Sequence, residues 1–270
     1  NKNSKIIEIA SNDGYLLQFF KDKNFDCIGI EPSKSCAEYA RAKNISVIQE
    51  FFDLDLAKDL AKKKNKADLI IANNVLAHVP DINNFVKGIS LLLKPNGIAT
   101  FEFQHLLELI KNNQYDTIYH EHYSYLSLLS VNNVFKNNGL NIFDVQKVNT
   151  HGGSLRVFAQ KKTSKKHKVS RNFYLLDKVE KRNKLNSIKT YKNFQKIANK
   201  NKNDLVKFLL DCKKKNFSVA AYGAAAKGNT LLNYAGVKKD LISYVCDSAP
   251  SKQNKFFPGT RIPIFPPEYL

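Results

Sequence analysis

The 270-residue chain contains no methionine, no tryptophan and only four cysteines. The cysteines, at 27, 36, 212 and 246, form no CxxC pair, which excludes a zinc ribbon or a disulfide framework within these residues. No apolar run approaches about 18 residues, so no membrane-spanning helix is expected, and nothing reads as a signal peptide. Free thiols and a soluble chain point to the cytoplasm, with no membrane partner. A methionine-free chain opening at Asn1, directly before a strand-like run, is expected to be a fragment or a processed sequence with methionine positions missing.

Arginine is scarce beside lysine. A formal net charge of +19 invites a nucleic-acid reading, yet no arginine-rich, aromatic-interleaved patch supports one. The lysines spread along solvated helix faces, and abundant Asn, Ile and Phe fit AT-rich codon usage. No nucleic-acid partner is expected; an anionic small substrate stays compatible with the charge.

What is present is an alternating pattern. Short apolar runs at 5–10, 26–31, 46–49, 67–73, 97–103, 140–148 and 155–161 read as strands, and amphipathic segments such as 33–43, 83–94 and 127–138 as helices between them. This is the pattern of an α/β domain with a mostly parallel sheet. Residues 1–160 form the first expected domain. From 161 to 203 Lys, Asn and Ser dominate, as in a charged helical linker. Residues 204–270 form a second, smaller α/β domain with strands at 217–222 and 241–246. Its proline-bearing tail, "FPGTRIPIFPPEYL", is expected to run extended over the surface.

The stretch "IIEIASNDGYLL" ends a strand with Glu8 and turns into a helix through Ser11, Asn12, Asp13 and Gly14; the next strand ends at Glu31. A tight turn followed by a carboxylate that accepts from ribose hydroxyls is the generic nucleoside crevice. With a single glycine in the turn a pyrophosphate has little room, so adenosine without a pyrophosphate fits better than a dinucleotide. A second small-residue turn, "YGAAAKGNT", is not a P-loop. The helix N-terminus with Lys227, Asn229 and Thr230 suits a diphosphate, with Asp247 and Lys252 as further contacts; tight helix–sheet packing is the alternative. In "THGGSLR", His151 could line a cleft and Arg156 could pair with an anionic group, unless the loop is a plain hairpin.

The densest chemical cluster is "TIYHEHYSY", residues 117–125. In an extended segment His120 and His122 point to the same side and could chelate a metal with His78 or His105, but no supporting ligand spacing appears and no metal is expected. Burial in a core is the other alternative.

"EIASNDGYLLQFF", "GIEPS", "ANNVLAHVPDI", "DTIYHEHYSYLS", "THGGSLRVF", "YGAAAKGNTLLNY" and "FPGTRIPI" together resemble the S-adenosylmethionine-dependent C-methyltransferases of nucleotide-linked keto-deoxysugars. The resemblance runs in order from about residue 5 to the end, and departs from the family in Ala10, where glycine is usual. The CxxC-based zinc-binding domain that usually begins such proteins is lacking here, so zinc is expected only in a missing N-terminal domain.

The resemblance implies a Rossmann-like class I methyltransferase domain followed by a smaller Rossmann-like domain. The cofactor set it implies is Glu8, Ser11, Asn12, Asp13, Gly14, Glu31, Phe52 and Asn73. The Ser11–Gly14 turn would cradle the amino-acid part, Glu31 would hold the ribose, and Phe51 or Phe52 would stack on adenine. His122 would be the general base at C3 of a 4-keto sugar, Glu121 and Tyr119 would position sugar or base, and His78 would sit near the keto oxygen. His120, His151, Arg156, Lys227, Asn229, Thr230, Asp247 and Lys252 would contact the substrate. The chain is expected to act as a monomer or small homo-oligomer, with chemistry in the cleft between its domains. Weaker readings are an O- or N-methyltransferase, a non-catalytic nucleotide-sugar-binding protein and an RNA methyltransferase.

Overall fold

The computed structural model describes residues 4–270, which divide into two compact units. Unit 1 comprises residues 4–108 and 122–184; unit 2 comprises 109–121 and 185–270.

Unit 1 opens with β1 (Lys5–Ile9), α1 (Leu17–Lys21), β2 (Asp26–Ile30), α2 (Lys34–Ala42), β3 (Ser46–Ile48) and α3 (Leu54–Lys62). Then come β4 (Ala67–Asn73), α4 (Ile82–Leu92), β5 (Leu93–Gln104) and α5 (Leu106–Lys111), the last crossing into unit 2. It closes with α6 (Leu128–Asn137), β6 (Leu140–Val148), β7 (Ser154–Lys161) and α7 (Arg171–Arg182). The seven strands run in the order β3-β2-β1-β4-β5-β7-β6. All neighbours are parallel up to β5, and β7 is antiparallel to both β5 and β6.

Helices on both faces explain why β1 and β4 are nearly continuous apolar runs: Ile6, Ile7, Ile9, Ile70, Ile71 and Ala72 are all buried. Local caps fix the helix starts. The Asp53 carboxylate accepts from the backbone N–H of Asp55 and Leu56 at α3, and Ser127 with Ser130 forms a capping box at α6. The chain leaves β1 toward β2 on one side, while β4 lies on the other. That reversal opens a crevice at the C-terminal ends of β1 and β4, where doubly wound folds bind ligands.

Unit 2 contains α8 (Ile188–Lys214), β8 (Ala220–Tyr222), α9 (Ala226–Ala235), β9 (Tyr244–Cys246), β10 (Lys255–Phe256) and β11 (Pro263–Phe265). Its sheet order is β10-β11-β9-β8. The tail does not run over the surface as its prolines suggest. β11 is an inner strand, parallel to β9 and antiparallel to β10. Phe257, Ile262 and Ile264 are buried with Val245. The two isoleucines flanking Pro263 share one face of the strand, and burying them outweighs the backbone donor that proline lacks. The lysine-rich stretch 161–203 is shared between the units: α7 buries Leu176 and Glu180 in unit 1, and α8 belongs to unit 2.

Candidate active site

The turn after β1 is held by backbone groups. The carboxylate of Glu31 accepts from the Asn12 N–H at 3.0 Å and the Ser33 N–H at 2.8 Å, one through each oxygen. Each oxygen keeps a lone pair for a further donor, so Glu31 is oriented and still able to accept from a hydroxyl. Asp13 is tied outward to Lys43 at 2.7 Å, and that hydrogen bond holds its carboxyl below the usual range. Gly14, at φ +74°, is required by packing: a Cβ there would lie 2.4 Å from Ile45 Cδ1. Ala10 sits at φ 58°, a left-handed conformation costing a non-glycine residue about 1–2 kcal/mol. This explains why glycine is the usual residue at that point.

Strand register assembles a polar row on one face of the sheet. Glu8 pairs with Ile71, Asn73 with Glu102, and Glu102 with Arg156, so the side chains of Glu8, Asn73, Glu102 and Arg156 share that face. Glu8 is 1% exposed, and burial pushes its carboxyl up to about 8. Its Oε2, Asn73 Oδ1 and Ser11 Oγ are buried with no hydrogen-bond partner among the described residues. Buried polar atoms are seldom left so, and three at the ends of adjacent elements mark a place built for a ligand's donors.

Glu102 is different. It accepts from Arg156 Nη2 at 2.6 Å and from Thr150 Oγ1 at 2.9 Å, so the Arg156 guanidinium is committed to an internal carboxylate rather than held open for a substrate anion. Phe52 also lies elsewhere than a stacking position: its ring packs edge-on against Phe85 at 5.3 Å inside the core. Its neighbour Phe51 is 81% exposed.

The histidine cluster is divided. Tyr119, His120 and Glu121 belong to unit 2, where His120 and Glu121 are exposed and the half-buried Tyr119 hydroxyl has its pKa raised by burial. His122 belongs to unit 1 and packs edge-on against His78, ring centroids 4.7 Å apart. The backbone N–H groups of Tyr123 and Ser124 both donate to the carbonyl of Ala77, fastening this segment to the turn after β4. Tyr125 stands 6.0 Å from the His122 ring. His151, exposed and at φ 53°, lies in the short hairpin connection between β6 and β7.

His105 is fully buried and bonded through Nε2 to Glu180 at 2.7 Å. Glu180 also accepts from the backbone N–H of Leu128 and Leu129, so it caps α6 from α7. Nothing in the sequence singled out Glu180. Among the described residues no three His, Cys, Asp or Glu side chains gather as a metal site.

In unit 2, Asp247 accepts from the backbone N–H of Ala224 at 2.6 Å and Ala249 at 2.8 Å, and from Lys252 Nζ at 3.2 Å. Those backbone donors, with Lys252, hold its carboxyl well below the usual range. Asp247 and Lys252 therefore satisfy each other and brace the turn before α9. Within α9, Thr230 donates to the carbonyl of Ala226 and Asn229 accepts from Asn233, while Lys227 is half-buried in the first turn. No side chain caps the α9 N-terminus.

A doubly wound sheet with unpartnered polar atoms at its switch point is suited to a nucleoside-type ligand, and sequence comparison specifies the class. Residues 1–145 match the methyltransferase domain family, and residues 149–270 the C-methyltransferase C-terminal domain family. The chain is 33% identical over 97% of its length to C-methyltransferase NovU of Streptomyces niveus, and spans 62% of that relative's length. A ubiquinone biosynthesis O-methyltransferase of Pelagibacter ubique is 31% identical over 36% of the chain and 40% of its own length. Among solved structures, the PH0226 protein of Pyrococcus horikoshii OT3 aligns at 18% identity with a TM-score of 0.49, over 59% of this chain and 82% of that one. The chain belongs to the S-adenosylmethionine-dependent methyltransferases. The unpartnered atoms of Glu8, Ser11 and Asn73 fit that cofactor's polar amino-acid part, and Glu31 fits its ribose.

Proposed function

We propose that the chain transfers a methyl group from S-adenosylmethionine to the carbon beside the ketone of a nucleotide-linked keto-deoxysugar. The cofactor supplies an electrophilic methyl group on a sulfonium. The chain's own task is to make a nucleophilic carbon. His122 removes the proton from C3 of a 4-keto sugar, the general-base role that histidine side chains fill most often. His78 donates a hydrogen bond to the keto oxygen as negative charge develops on it. Glu121 and Tyr119, just before His122 in the chain, position the sugar. Glu31 holds the ribose of the cofactor, while Glu8, Ser11 and Asn73 hold its amino-acid end. The first turn of α9, with Lys227, receives the diphosphate of the sugar nucleotide, and the cytoplasm is the compartment.

The observation that carries this reading is the contact of His122 with His78 at 4.7 Å, at the end of the strand that also bears Asn73. Two imidazoles meeting there supply both a base and a donor for an enolate. Transfer to oxygen or nitrogen would need only one base or simple positioning.

The test is exchange of solvent deuterium into the position beside the ketone, followed with methyl transfer. His122→Ala is expected to lower both by about 10²–10⁴-fold, and His78→Ala to lower them less. Full retention of exchange and methylation by His122→Ala would sink the base assignment. Methylation without exchange would point to an oxygen acceptor.

A further inference from the structure

The stretch 122–129, which carries His122 into α6, is tied down at three places, all within unit 1. Ala77 accepts the backbone N–H groups of Tyr123 and Ser124. The end of β5 takes the next residues: His105 pairs with Leu126 as a parallel bridge, and the Leu106 N–H donates to the Leu126 carbonyl at 2.9 Å. Glu180 of α7 takes the last. Its Oε1 accepts from the Leu128 N–H and from His105 Nε2, both at 2.7 Å, and its Oε2 from the Leu129 N–H at 2.8 Å.

Glu180 therefore joins two of the three ties. One carboxylate holds the first turn of α6 and also the histidine that pairs with Leu126. His105 is fully buried and its Nδ1 has no partner among the described residues, so the bond to Glu180 fixes the rotation of its ring. A capping box of Ser127 and Ser130 already serves the start of α6, and a further carboxylate shared with His105 is more than a helix start requires. Burying a carboxylate is costly, and an apolar side chain of similar size would fill such a place more cheaply. What the carboxylate adds is a defined position, because it accepts from two elements at once. Leu126, held between them, is four residues from His122, and its neighbour Tyr125 stands edge-on to the His122 ring at 6.0 Å.

We propose that Glu180 is a positioning residue for methyl transfer, holding His122 against His78 through His105 and the start of α6; the inference rests on the reading of His122 as the base. Glu180 and His105 are both buried and act through the place of the His122 ring, not on the reacting atoms. A displacement of about 1 Å in a reacting group can cost about 10²-fold in rate.

The experiment compares Glu180→Gln with the wild type in the deuterium-exchange and methyl-transfer assays, with a nucleotide-linked 4-keto-6-deoxyhexose as probe. Binding of S-adenosylmethionine is measured beside them by calorimetry. Glutamine keeps the shape of Glu180 but turns one acceptor into a donor that faces an N–H. The kcat of both reactions is expected to fall about 10- to 100-fold, with the cofactor Kd and the circular dichroism spectrum unchanged. In a His122→Ala background the same substitution should cost nothing further, because its effect passes through His122. At position 105, His105→Gln keeps a donor for Glu180 and should retain most of the activity, whereas His105→Leu should lose as much as Glu180→Gln. That pair carries the test if Glu180→Gln fails to fold. A folded Glu180→Gln with full exchange, a loss equal in both backgrounds, or a parallel loss of cofactor affinity overturns the inference and leaves the base assignment standing. Full exchange in His122→Ala itself overturns both.

Discussion

Each unit buries a carboxylate where a strand meets a small-residue turn, and the two are treated in opposite ways. Asp247, just after β9, accepts from two backbone N–H groups and a lysine, and its carboxyl lies well below the usual range. Glu8, within β1, has an oxygen with no partner among the described residues, and burial pushes its carboxyl up to about 8. The saturated group is part of the scaffold, since nothing remains on it for a ligand to displace cheaply. The unsaturated one is a cost of the ligand-free fold, tolerable where binding removes it. Saturation, more than position on the strand, separates a residue that builds a site from one that touches what enters it.

The largest effect expected from this contrast follows Asp247→Ala. Removing the carboxylate leaves the buried Ala224 N–H and the half-buried Ala249 N–H without an acceptor. At about 1–3 kcal/mol per buried unsatisfied donor, unit 2 should lose about 3 kcal/mol. Urea denaturation with hydrogen exchange at the Ala224 amide measures it, and a loss below about 0.5 kcal/mol would mean that the hydrogen bonds are not structural. The pH dependence has a definite sign. With its pKa depressed in the folded state, Asp247 contributes stability above its unfolded pKa, and that contribution is lost as pH falls through the folded value. Asp247→Asn should remove that acid-side dependence while keeping part of the hydrogen bonding.

Legibility in the sequence follows the range of the interactions. β1 and β4 announce themselves because strands buried on both faces need continuous apolar runs, and Glu8, Ser11 and Glu31 are visible as the punctuation around them. His78 and His122 stand out as types, but their contact depends on Tyr123 and Ser124 docking on Ala77. Arg156 looks like an anion receptor because its partner, Glu102, is brought opposite it only by the register of β5 and β7. Phe51 and Phe52 are neighbours with opposite fates, set by whether α4 offers Phe85 as a packing partner. Glu180 is hidden for the same reason. It sits among exposed lysines of α7 and finds its donors on α6 and its histidine after β5.

A smaller and more diagnostic effect is expected at Glu8. With its carboxyl pushed up to about 8 from an ordinary 4.5, the folded state binds a proton that the unfolded state has released throughout that window. The unfolded chain binds fewer protons there, so stability falls as pH rises, by at most about 1.4 kcal/mol per pH unit for one group. This slope is opposite in sign to that of Asp247 and lies in a different range, because a depressed carboxyl acts only on the acid side. Stability has other contributions to its pH dependence, so the quantity to measure between pH 5.5 and 6.5 is the difference between the wild type and Glu8→Gln, which keeps the shape and cannot ionise. Urea midpoints at the two pH values should give a wild type that loses about 1 kcal/mol more than Glu8→Gln. Equal losses would mean that Glu8 is already ionised and partnered in the free protein. The contrast with Asp247 would then disappear, and with it the argument that the end of β1 waits for a cationic or hydrogen-bond-donating ligand.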